Sequence, residues 1–121
     1  MPILDVEIVL RPDERITGDL AADIAERAGA IFGSAPQQTW VKLRLLAREQ
    51  YAENGGGPPA GVYPLFVSVL KAHMPAPELL QAEVVALAAA IAAACARPIE
   101  HIHIVYLPSA AGRVAFGGVL A

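Results

Sequence analysis

Residues 1–10, MPILDVEIVL, alternate from Leu4 onward: Leu4, Val6, Ile8 and Leu10 fall on one side, Asp5 and Glu7 on the other. A period of two marks a strand with one buried face, so a β-strand is predicted over 3–10. The proline ahead of it admits two readings. Proline is tolerated as the first residue of a strand, where its missing N–H costs no ladder bond. Were Met1 removed, Pro2 would instead be a chain terminus, a secondary amine held in place by a sheet.

Working outward, RPDERITGD (11–19) leads to a predicted helix over 18–32, with Thr17 or Asp19 as its cap. Leu20, Ile24, Ala28 and Ile31 make its apolar stripe, Asp23, Glu26 and Arg27 its wet side, and GSAP (33–36) stops it. A second strand is predicted over 39–47, with Val41, Leu43, Leu45 and Ala47 opposite Trp40, Lys42 and Arg44. ENGGGPPAGVYP (53–64) reads as a connecting loop. The order then repeats: a strand over 65–72, a helix over 76–96 entered through PAPE, a strand over 100–107 and the tail RVAFGGVLA. Pro2 and Pro64, Pro36 and Pro98, and the glycine pairs at 55–56 and 117–118 are each 62 residues apart. Matching the apolar faces of the second strands needs an offset of 61 instead, which predicts a bulge or slip there.

The expected architecture is one α/β (α+β) domain over 1–121, a tandem β-α-β with repeats at about 1–57 and 63–121. Two right-handed crossovers put both helices on one face of a four-stranded sheet. The other face is expected to carry Asp5, Glu7, Trp40, Lys42, Arg44, His101 and His103. A half-apolar open face of this kind suits packing between subunits.

Composition narrows the function. The hydrophobic share is 55%, above the usual 45–50% or so, which suggests further burial between subunits. A net charge of −3 gives no reason to expect nucleic acid. The lone Cys95 excludes an internal disulfide framework and reads as a packed core thiol in a reducing compartment. Asp5 and Glu7 interrupt the N-terminal apolar run, so no signal peptide is expected. VVALAAAIAAACA (84–96) is too short at 13 residues to span a bilayer. A soluble, cytoplasmic protein is expected, with no membrane partner.

MPI opening a strand, the duplicated β-α-β, P-x-x-x-[WI] before the second strand of each half and a terminal RVAFGG together resemble the tautomerase superfamily. The likeness spans the whole chain, and the length is similar to that of fused two-repeat members, which assemble as homotrimers. It implies the tautomerase/MIF-like fold, no cofactor, active sites at subunit boundaries and a small carboxylate substrate. It also implies that Pro2 is the catalytic base for keto-enol tautomerisation. An α-amine titrates near 8, and a cation or an apolar pocket lowers that toward neutrality. As substrate-binding residues it implies Arg11, although one position early, Lys71, Arg113, Tyr106, out of register by one, and Phe116 as a pocket wall. The segment VLKAHMPAP has Lys71 and His73 where the superfamily's dehalogenase and decarboxylase carry arginines. Ala115 stands where the dehalogenase has a water-activating glutamate, which speaks against hydrolytic dehalogenation. Decarboxylation of a β-keto acid, or a non-catalytic trimer if Met1 stays, are the other readings.

Other candidates have plainer explanations beside them. Lys42 and Arg44 suit cross-strand pairing with Asp5 and Glu7. His101 and His103 have the i, i+2 spacing of a shared strand face but no companion ligand save Glu100, which faces the other way, so a surface or interface role is expected and no metal. Lys71 reads equally as a strand-end cation or a substrate contact. The GGG and FGG glycines lack the strand, GxGxxG, helix order and are expected in turns.

Overall fold

The computed structural model describes residues 1–121. Its chain order is β1 (Ile3–Val9), α1 (Leu20–Phe32), β2 (Trp40–Leu46), β3 (Leu65–Leu70), α2 (Pro77–Cys95) and β4 (Ile102–Tyr106). The chain ends in a hairpin of β5 (Ala115–Phe116) and β6 (Val119–Leu120). The sheet order is β2-β1-β3-β4, with parallel outer pairs and an antiparallel centre. Each half is therefore one β-α-β unit, and the two meet along β1 and β3.

The alternation in the opening stretch decides what is buried. Leu4, Val6 and Ile8 of β1 join Leu65, Val67 and Val69 of β3 and Ile102 of β4 under Leu20, Ile24 and Ala28 of α1 and Leu87, Ile91 and Cys95 of α2. Both helices lie on this face. Cys95 is buried as expected, and burial pushes its thiol up to about 11. α1 ends on Gly33, whose φ of 65° is the left-handed conformation that a glycine cap adopts cheaply. Its start differs from expectation, because Asp19 holds the cap position without a side-chain hydrogen bond and Thr17 lies outside the helix.

Two further expectations are corrected, and the expected Gly-Gly turn is found. The apolar faces repeat at 61 residues in both strands, Leu4 to Leu65 and Val41 to Ile102, through the pairs Leu4–Val41 and Leu65–Ile102. No slip separates the first strands from the second; it is the Pro2–Pro64 echo that lies one residue out of phase. His101 ends a 3-10 turn (Ile99–His101) before β4 and does not share a strand face with His103. The tail is ordered as a hairpin whose turn, Gly117–Gly118, has φ of 61° and 86°, two consecutive positive values that suit glycine.

The open face carries Asp5, Glu7, Trp40, Lys42, Arg44, Phe66, Ser68, His103 and Val105, by register with β1 and β3. Lys42 and Arg44 stand opposite Asp5 and Glu7 in the β1–β2 ladder, as expected, and both reach the Asp5 carboxylate, at 3.1 and 3.3 Å. α2 is 19 residues long with a mean hydropathy of 1.7, long enough to cross a membrane by length and composition. Its Leu87, Ile91 and Cys95 are in the domain core.

Candidate active site

The sheet topology brings the start of β1, the start of β2 and the ends of β3 and β4 to one edge. Pro2 sits there, buried, its carbonyl accepting the Trp40 N–H at 3.0 Å. An open depression of about 350 Å³ surrounds it, walled by Met1, Phe32, Ser34, Gln38, Lys71 and His73 among others. Beside it lies a pocket of about 210 Å³ whose nine lining residues are all apolar, including Ile3, Leu70, Val114 and Phe116. Met1 and Ala72 belong to both walls, so the first residue of the chain stands between a polar space and an apolar one.

Lys71 follows β3 directly and reaches into the wall of the Pro2 depression. Its Nζ is 2.8 Å from Glu83 Oε1 and 4.7 Å from the centre of the Phe32 ring. Tyr106, the last residue of β4, donates its hydroxyl to the other oxygen, Glu83 Oε2, at 2.5 Å. Burial first, and then the bond to Glu83, push the Tyr106 phenol well above its usual range, so it remains a donor at neutral pH. Phe116 meets Trp40 edge to face, with ring centres 5.5 Å apart, and closes the apolar pocket.

Pro2, Lys71 and Phe116 are thus neighbours around Met1, and Tyr106 joins them through Glu83. Two expected clamps are elsewhere. Arg11 lies beyond the opposite end of β1, more than about 20 Å away at strand rise, where it pairs with Glu14 and donates to the Ala96 carbonyl. Within the chain it cannot reach Pro2. Arg113 is exposed, donates to the Ser109 carbonyl at 3.2 Å and lines neither space. Glu83 went unread in the sequence. The available signal was a carboxylate inside a helix whose only other charge is Glu78 in the first turn.

Neither a family model nor a curated protein matches the chain. Solved structures do. A structure described as a fused 4-OT wild-type symmetric trimer has a TM-score of 0.78 at 16% identity, covering 98% of this chain and 94% of the other. The macrophage migration inhibitory factor from Trichinella spiralis follows with 0.74 at 11% identity, covering 98% and 99%. FG41 malonate semialdehyde decarboxylase, inhibited by 3-bromopropiolate, gives 0.70 at 12% identity, covering 95% and 88%. The chain has the fold of these structures, the tautomerase/MIF-like fold expected from the sequence.

Proposed function

We propose that the chain is a soluble, cytoplasmic, cofactor-independent tautomerase that works, once Met1 is cleaved off, with the Pro2 amine as general base. The observation that carries this reading is the place of Pro2, on the fold's sheet edge, in a depression that also holds a lysine and adjoins an apolar pocket. Removal of Met1 frees the nitrogen and takes away part of the wall that the two spaces share. A small 2-keto or 2-hydroxy-dienoate carboxylate then has a cation for its charged end and an apolar wall, Phe116, for the other. Pro2 takes a proton from the enol oxygen or the carbon α to the carbonyl and returns it to the other position, which moves the double bond and leaves the base regenerated. Donors aimed at the enolate oxygen lower the barrier, a role that suits Lys71. The assembly proposed is a homotrimer with sites at its subunit boundaries, where Arg11 or Arg113 of a neighbour would add to the clamp. One structural neighbour is described as a decarboxylase, and the same amine in its cationic form would stabilise the enolate left by a β-keto acid.

Intact-mass spectrometry of the mature protein is expected to show Met1 gone; retention overturns both enzyme readings and leaves a non-catalytic trimer. Enol-keto conversion of phenylpyruvate and 2-hydroxymuconate should fall by about 10²–10⁴ in Pro2→Ala, the usual worth of a positioned base. Equal rates reject Pro2.

A further inference from the structure

We propose that Lys71 and Tyr106 form a carboxylate-binding pair whose internal ligand is Glu83, so that Glu83 sets how tightly the Pro2 depression takes an external carboxylate. The identification of that external carboxylate with a substrate rests on the tautomerase reading; the binding chemistry does not. A carboxylate already sits on the pair, with one oxygen on the ammonium at 2.8 Å and the other on the phenol at 2.5 Å. Hydrogen bonds with a charged partner are shorter and stronger than neutral ones. The two donors come from paired strands, Tyr106 opposite Val69 in the β3–β4 ladder and Lys71 just past the end of β3, so the sheet fixes their spacing. The acceptor comes from α2, a different layer. Both charged side chains are largely covered, 18% exposed for Lys71 and 14% for Glu83.

Lys71 is the member of this group that lines two spaces. It walls the Pro2 depression, and it also walls the groove beyond, which holds Glu83 with Ile31, Leu79 and Ala86. Lys71 therefore stands on a boundary: its ammonium holds Glu83 on one side and lies 4.7 Å from the ring of Phe32, a wall of the Pro2 depression, on the other. An ammonium has three N–H donors, and Glu83 accepts from one. A carboxylate entering beside Pro2 must share or displace Glu83 at that ammonium, and the two anions repel each other. Affinity for external carboxylates is consequently held down in the native protein. Neutralising Glu83 leaves the ammonium without an anion and raises that affinity.

The test titrates benzoate into the protein by calorimetry at pH 7. Glu83→Gln is expected to bind benzoate at least about tenfold more tightly than the native chain, a gain of about 1.4 kcal/mol. Adding Lys71→Met to that variant should abolish the gain. Unchanged or weaker binding in Glu83→Gln overturns the proposal, because a residue that merely props Lys71 would give that result. A second measurement needs no variant: saturating benzoate should shift the Glu83 side-chain carboxyl ¹³C resonance of the native protein, and an unmoved resonance overturns the proposal too. Neither readout involves turnover. Inactivity of Pro2→Ala without a gain in Glu83→Gln defeats this proposal alone, whereas the gain with a fully active Pro2→Ala defeats the tautomerase reading alone.

Discussion

Arg97 places five N–H donors inside the protein. Its guanidinium meets both oxygens of Glu14 at 2.7 Å and the carbonyls of Val9, Tyr63 and Cys95 at 3.0–3.1 Å, with no exposed side-chain surface. It thereby ties the end of β1, the loop after it, the exit of α2 and the entry to β3. The bond to Arg97 is the main reason that the Glu14 carboxyl is held below its usual range, against the opposing effect of burial. Removing one partner of such a pair leaves a buried charge and costs roughly 3–5 kcal/mol, so Arg97→Met and Glu14→Gln should each lose about that in urea unfolding at pH 7. The sign of the pH dependence follows from the depressed value. The contribution is full above the unfolded carboxyl pKa and fades as pH falls through the folded one. The gap between native protein and Glu14→Gln should therefore close below about pH 4. A gap that stays constant down to pH 2 would contradict this account. None of it was legible in the sequence, because the partners are 83 residues apart and Arg97 reads there as an ordinary charge at a helix exit.

At the scale of elements, β1 and α1 could be read because each carries one periodic face, and the structure departs from the reading only at their ends. α2 could not be resolved so far. It is apolar nearly all round, so periodicity does not say which side is inside. The structure answers with Leu87, which is fully buried, against Val85, which is 55% exposed two positions earlier. Leu87→Ala should cost about 2–5 kcal/mol through lost burial and the cavity left behind. Val85→Lys should move stability by no more than about 0.5 kcal/mol. Thermal unfolding of the two variants checks the assignment, and a larger loss at Val85 would mean that α2 is covered by something outside the chain. The hairpin β5–β6 escaped because strands of two residues give no period; only its Gly-Gly turn was visible. The candidate site was legible in part for a similar reason. Pro2, Lys71 and Phe116 flank strands or turns that the pattern marks, while Glu83 belongs to the helix whose orientation the pattern leaves open.

The whole molecule has two unlike ends. At the Pro64 end, Arg97 and Glu14 fill the space between sheet and loops with a paired buried charge, and Pro64 is buried with its carbonyl bonded to Val9. At the Pro2 end the corresponding space is open and lined by Lys71 and His73. The near-twofold architecture thus differs at its two ends, filled by an ion pair at one and open at the other. The open sheet face carries exposed apolar side chains. Trp40 is 42% and Val105 59% exposed on it, beside the ion pairs of Asp5 with Lys42 and Arg44. Burying the exposed part of those apolar side chains between copies is favourable at about 25 cal/mol per Å². The proposed trimer makes this face an interface. Sedimentation velocity should then show native protein at three times the monomer mass. Val105→Glu, placing a charge where water would be excluded, should sediment as a folded monomer with an unchanged helical circular-dichroism signal. If tautomerisation needs a neighbour's arginine, the same variant should lose carboxylate turnover while keeping Pro2 and Lys71 in place. A monomeric native protein would overturn the trimer, and a Val105→Glu variant that remains trimeric would move the interface away from this face.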